Sequence, residues 1–141
     1  MWVIYAFLAA VFASLVSIFG KVGLKEVDPT LATTIRAAIM AAFLVVVAFT
    51  LGKFDGAWLR SFDTKALTMI ALSGIAGALS WLFFFTALKD APAVAVNSID
   101  RLSIVFVLVF AALFLGETLT AMRVLAVSLI ALGAVLIALY P

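Results

Sequence analysis

Cysteine and histidine are both absent from this chain of 141 residues. Their absence excludes disulfide bonds, thiolate metal sites, cysteine nucleophiles and acid–base catalysis by imidazole. Charged residues are scarce as well, at 11% of the chain, whereas a soluble domain has about a quarter. Because so few reactive groups remain, we expect no enzyme activity, no metal and no cofactor.

Positive charge is present but is not concentrated. The net charge is +2 and the pI is near 9.2, yet the nine basic residues are spread singly along the chain. A surface that follows nucleic-acid phosphates needs basic residues clustered on one face. We therefore expect no nucleic-acid partner.

Apolar residues dominate the composition, at 68% of the chain with a mean hydropathy of +1.38. A water-soluble fold of this size could not bury that much apolar surface, which leaves the lipid bilayer as its solvent. Only helices and closed barrels satisfy their backbone hydrogen bonds there. Residues 37–51 and 104–115 are continuously apolar, without the alternation of barrel strands. The sequence predicts an all-α, polytopic membrane helix bundle.

Five apolar stretches reach the length of about 20 residues that a spanning helix needs. Their predicted bounds are about 3–22, 31–52, 66–88, 93–115 and 120–140, within one domain over residues 1–141. Asp28-Pro29, Asp63-Thr64 and Thr118 or Thr120 are typical of helix starts. We interpret the first stretch as a retained helix, and the connection 53–65 as lying on the membrane surface.

The orientation of such a bundle is set by Lys and Arg in its cytoplasmic loops. Here the two sides carry equal numbers, Lys53, Arg60, Lys65 and Arg123 against Lys21, Lys25, Arg36 and Lys89. An odd number of helices without charge bias predicts insertion in both orientations and antiparallel pairing of two copies. The alternative is one orientation, fixed by the first helix or by a partner.

Strongly polar residues inside the predicted helices are functional candidates because each is costly in hydrocarbon, and we single out four of them. They are Arg36 in the second helix and Asn97, Asp100 and Arg101 in the fourth. One interpretation is a polar cavity, with Asp100 as a proton or cation site and Arg36 or Arg101 holding a carboxylate or phosphate. In the other, the three residues of the fourth helix form a buried packing network, or Arg101 extends to the membrane surface. Arg36 is the predicted partner of Asp100.

Aromatic and small residues share the third predicted helix. Trp81 lies with the phenylalanines of residues 83–85, and such rings can line a substrate pathway or bind a cation, or simply pack. Gly74, Gly77 and Ala78 are small residues that allow helices to approach closely. We expect tight helix packing around them.

Several short motifs in this order resemble the EamA-type domain of the drug/metabolite transporter superfamily. Those that carry the resemblance are residues 87–93 (ALKDAPA), 99–103 (IDRLS), 113–120 (LFLGETLT) and 133–136 (GAVL), with Val27-Asp28-Pro29 and Thr34-Ile35-Arg36 before them. The resemblance covers nearly the whole chain. It implies a transporter of amino acids, other metabolites or drugs in the prokaryotic plasma or inner membrane.

Such domains commonly occur as two tandem copies with inverted halves, whereas this chain holds one copy. The resemblance therefore implies an antiparallel homodimer, or pairing with a second half-size homologue. Residues 97–98 and 100–101 depart from related domains, which often have small residues or proline there, so substrate preferences are not carried over. Small multidrug-resistance proteins typically have four helices and a Glu in the first, which is lacking here. The remaining alternative is a non-transporting membrane subunit that stabilises or regulates a partner.

Overall fold

The computed structural model of the chain describes residues 1–55 and 62–140, which contain α-helices and no strand. The helices are α1 (Trp2–Gly23), α2 (Pro29–Thr50), α3 (Thr64–Asp90), α4 (Ala93–Asp100), α5 (Ser103–Leu115) and α6 (Ala121–Leu139). Because α4 and α5 together form one stretch, five helical spans are long and apolar enough to cross a membrane. The predicted fold class and number of spans are confirmed.

The helices fall into two compact units. The first unit comprises Met1–Val22 and the chain from Asp90 onward, and within it α6 packs against both α4 and α5. The second unit, Gly23–Lys89, contains α2 and α3. The single domain over residues 1–141 stays a prediction, and the predicted surface connection lies mostly outside the described residues, with Arg60 among those not described.

Side-chain caps determine where α2 and α3 begin. The Asp28 carboxylate accepts hydrogen bonds from the backbone N–H groups of Thr30 (2.8 Å) and Leu31 (3.1 Å). Asp63 Oδ1 accepts one from the N–H of Ala66 at 2.6 Å. Both helices start two residues earlier than predicted, because the cap, and not the first apolar residue, sets the first turn. Pro29 suits that turn since its missing N–H would have no helical partner.

Gly116 lies at the end of α5, and Thr120 lies at the start of α6. Gly116 has φ 68°, a left-handed conformation that closes α5 and that glycine adopts without steric cost. The N–H of Glu117 donates to Ala111 O at 3.2 Å. Four residues on, the Thr120 hydroxyl accepts from the N–H of Arg123 at 3.3 Å, so Thr120 is the cap of α6. The Leu-Gly-Glu motif is thus a helix end.

The fourth span is interrupted, although the sequence predicts one continuous helix. Arg101 (φ −65°, ψ −15°) and Leu102 (φ −62°, ψ −17°) separate α4 from α5. The N–H of Leu102 donates to Ile99 O at 2.9 Å and that of Ile104 to Arg101 O at 3.1 Å. These bonds join residues three apart, which is the pattern of a tight 3₁₀ turn. Neither proline nor glycine lies at this point, so the sequence contains no ordinary helix-breaking residue that would predict the interruption.

The spans bury little of their surface within the chain. In the apolar 18-residue stretch of each span, at most 11% of the residues are buried among the described part of the chain. Large side chains such as Phe7 and Phe43 are more than half exposed. In a bilayer such surfaces face lipid tails or another protein chain. Burial within one chain therefore does not account for how the bundle is held together.

The cap of α2 gives the first testable prediction. The Leu31 N–H, and after it the Thr30 N–H, holds the pKa of the Asp28 carboxyl below its ordinary value. Since the folded pKa is the lower one, this contribution to stability is present above the unfolded value of about 3.9 and is lost as pH falls through the folded pKa. We expect Asp28→Asn, an uncharged cap, to melt below the wild type at pH 7 in detergent.

The two melting temperatures should begin to converge as pH falls below about 4, the unfolded value, and should meet below the lower pKa of the folded carboxyl. Asp28→Ala, which removes the cap, should melt lower than either protein at pH 7. A gap between wild type and Asp28→Asn that stays constant from neutral to acid pH would contradict this account.

Candidate functional site

Polar side chains join α1 to α4 within the first unit. The Ser17 hydroxyl, only 3% exposed, lies 2.9 Å from Asn97 Oδ1 and 3.1 Å from Ala13 O, so it can donate to either acceptor. Asn97 Nδ2 donates to Ala93 O at 2.7 Å. One turn further along α1, Lys21 Nζ donates to the carbonyl of Ala91 at 2.9 Å. We call this set of contacts the polar seam.

A cleft of about 340 Å³ lies beside the polar seam. Its walls are formed by Ser14, Ser17, Ile18, Ala93, Val94, Asn97, Ser98 and Arg101. The predicted site residues Asn97 and Arg101 thus share one cleft, as their spacing of four residues predicts. Asp100 does not line it and is exposed. Because Arg101 is exposed too, these three residues do not form one buried network within this unit.

The second unit holds Arg36 against aromatic rings. The Arg36 guanidinium carbon lies 3.8 Å from the centroid of the Trp81 ring and 5.5 Å from that of Phe85. Trp81 in turn packs edge to face with Phe84 and Phe85, with ring centroids 5.4 and 5.8 Å apart. A cation over an indole face is attracted by the ring's negative quadrupole, the more so where water is excluded. Trp81 is therefore the nearer of the two aromatic contacts of the Arg36 cation.

A larger cleft, of about 760 Å³, separates α2 from α3 beside this stack. Arg36 and Trp81 line it together with the small residues Gly74, Gly77 and Ala78. A Cβ atom added at either glycine would meet no atom within 4 Å beyond its own helix. The predicted close packing at these two glycines is therefore wrong for the described chain, where they border open space. We call this the α2–α3 cleft.

The structure thus brings the predicted site residues into two places. Arg36 and Trp81 line the α2–α3 cleft, Asn97 and Arg101 line the cleft beside the polar seam, and Asp100 lines neither. Arg36 and Asp100 belong to different units, and their pairing stays a prediction. Among the described residues, no group of three or more acidic residues could hold a metal ion.

Sequence reasoning missed Ser17. Its signal was present in the spacing of Ser14, Ser17 and Lys21, which places three polar groups along one face of α1. A lone serine in a helix often bonds to its own backbone, as Ser14 does to Val11 O at 2.7 Å. Only the packing of α4 against α1 distinguishes the two serines.

Five apolar helical spans among the described residues, with polar side chains lining clefts between them, indicate a multi-pass membrane protein. The sequence matches the EamA-like transporter family over residues 1–139, and the chain belongs to this family. A relative from Sinorhizobium sp., named an uncharacterized transporter in the cobO 3′ region, is 38% identical over 141 residues, covering 99% of this chain and 97% of the relative. No solved structure matches the chain. The family and this relative point to a transporter and not to an enzyme.

The polar seam gives a second prediction. Ser17→Ala leaves Asn97 Oδ1 without its partner on α1, and Asn97→Ala removes the other half of the contact. We expect the double-mutant cycle to give a coupling free energy of about 0.5 to 1.5 kcal/mol, the range of hydrogen bonds between membrane helices. The measurement is the free energy of unfolding in mixed detergent micelles.

Ser14→Ala is the matched control, because Ser14 bonds only within α1, and its coupling to Asn97 should be close to zero. Equal coupling free energies for Ser14 and Ser17 would contradict a specific hydrogen bond between Ser17 and Asn97.

Proposed function

We propose that this chain is one half of a transporter for small carboxylate-bearing metabolites, the class that includes amino acids, in a prokaryotic plasma membrane. The observation that carries the proposal is that each cleft, within the described residues of its own unit, lies between two apolar helices and contains polar groups. A transport pathway needs such groups, and it needs walls that close around them. A second copy of the chain would supply further walls.

Three features support an antiparallel homodimer, or pairing with a second half-size homologue. The number of spans is odd, basic residues are balanced between the two sides, and the spans bury little surface on each other. Two copies inserted in opposite directions would form an inverted pair, the arrangement in which many transporters alternate access to a midplane site. The relative named as a transporter has nearly the same length as this chain.

Asp100 is the group we propose to couple transport to protons. It ends α4 next to the 3₁₀ turn, and within the first unit its carboxylate has no hydrogen bond or ion pair among the described residues. An ionised acid near a helix centre costs about 2.5 to 3.5 kcal/mol, which protonation relieves. A site that opens to the two sides in turn would therefore take up and release a proton in each cycle.

Orientation can be read directly because the chain lacks cysteine. We expect Lys25→Cys, between α1 and α2, and Lys53→Cys, beyond the end of α2, each to react to about half with a membrane-impermeant maleimide in intact cells. Labelling after lysis gives the total. One site fully labelled and the other unlabelled would establish a single orientation and overturn the antiparallel homodimer.

Flux into proteoliposomes tests the transport step. With an imposed pH gradient and a panel of labelled carboxylates and amino acids, we expect the wild type to accumulate at least one solute. Asp100→Asn should lose the dependence on the gradient, because the amide cannot exchange a proton. Asp55→Asn, an exposed acid outside the spans, is the matched control and should transport like the wild type. No flux of any solute from well-folded protein would contradict the proposal and favour a non-transporting membrane subunit.

A further inference from the structure

The Arg36 guanidinium has its face occupied and its edge unoccupied. The ring of Trp81 covers the face at 3.8 Å, whereas the five N–H groups of a guanidinium lie in its plane. Within the described part of the second unit, residues 23–55 and 62–89, none of these N–H groups makes a hydrogen bond or an ion pair. The stack therefore presents in-plane donors in the geometry that a planar carboxylate accepts two at a time.

The aromatic contact also holds the charge at depth. Arg36 lies seven residues beyond the first residue of α2, which at 1.5 Å per residue is about 10 Å from that end. This is deeper than the 7 to 8 Å that a helix start at residue 31 implies. Trp81 lies nine residues before the end of α3, or about 13 Å. A guanidinium stacked on that ring is not extended toward the membrane surface.

The remaining wall of the α2–α3 cleft is poor in hydrogen-bond donors and lacks negative charge. The hydroxyls of Thr33 and Thr34 donate to backbone carbonyls of their own helix, at 2.7 and 2.8 Å. No Asp or Glu is among the described residues that line the cleft. Apolar side chains, including Met40, Leu44 and Leu82, form much of the rest. This wall suits an apolar body and offers an ammonium group no counter-charge.

We infer that Arg36, stacked on Trp81, binds the carboxylate of a monoanionic organic acid whose apolar body occupies the α2–α3 cleft. The inference rests on the proposed function and narrows its substrate class. A zwitterionic amino acid of the same shape binds more weakly there, since its ammonium loses water without gaining a carboxylate. The volume of about 760 Å³ lies within the range of small-molecule sites, about 300 to 1,000 Å³.

Direct binding tests the inference without requiring transport. The full chain is placed in nanodiscs of phosphatidylcholine, which has no net charge, and titrated with 4-methylpentanoate, its amide, leucine and inorganic phosphate. We expect 4-methylpentanoate to bind and to raise the melting temperature. The amide and phosphate should not bind measurably, and leucine should bind at least tenfold more weakly than 4-methylpentanoate.

Substitutions identify the groups responsible. Arg36→Gln should weaken 4-methylpentanoate binding about tenfold to a hundredfold, as expected for the loss of a charge-assisted pair. Arg36→Lys should recover only part of the affinity, because an ammonium neither stacks nor binds in a bidentate way. Trp81→Phe, which keeps an aromatic face, should bind better than Trp81→Leu. Arg123→Gln removes an exposed arginine of the first unit and should leave the affinity unchanged.

Three results would overturn the inference. The first is equal binding of the acid and its amide, and the second is an affinity that Arg36→Gln leaves intact. The third is stabilisation by nanodiscs containing phosphatidylglycerol but not by 4-methylpentanoate, which would show that a lipid phosphate occupies the site. Flux of solutes in wild-type proteoliposomes together with any of these results would leave the proposed function standing. Carboxylate binding without flux would refute transport while upholding the site.

Discussion

Hydrocarbon offers no hydrogen bonds, and this constraint acts on the backbone and on the polar side chains of the membrane spans. The backbone meets it by remaining helical across five spans. Each polar side chain needs a partner of its own. Ser17 bonds to Asn97 across two helices, and Thr33 and Thr34 donate to carbonyls of their own helix. Arg36 stacks on an aromatic face. Where a polar group has no such solution within the chain, a ligand or another chain becomes the natural partner.

The parts of the fold that sequence predicted are those that depend on local chemistry. The number of spans follows from hydrophobic length, and the caps at Asp28, Asp63 and Thr120 follow from short polar side chains placed before apolar runs. The interruption at Arg101 and Leu102 could not be predicted in this way. Its backbone angles are close to helical, and neither residue is a helix breaker, so the local sequence carries no signal for it.

The candidate site was partly predictable for a similar reason. The cost of a charged or strongly polar side chain in the bilayer singled out Arg36, Asn97, Asp100 and Arg101 from their positions inside predicted spans. Which of them share a cleft also depends on contacts between helices. When every face of a helix is apolar, hydrophobic periodicity does not predict which helices pack together. Trp81 was named as one member of an aromatic cluster, whereas its role beside Arg36 emerged only from the 3.8 Å contact.

The 3₁₀ turn divides the fourth span into halves of different character. α4 carries Asn97, Ser98 and Asp100 within eight residues, whereas α5 is apolar throughout after Ser103. A solute that follows this span would meet polar groups through one leaflet and then an insulating rod about 20 Å long. In an antiparallel pair the rod of each copy would lie in the leaflet where its neighbour is polar. Each leaflet would then contain the polar half of one copy beside the apolar half of the other, so polar groups would be accessible from both sides of the membrane.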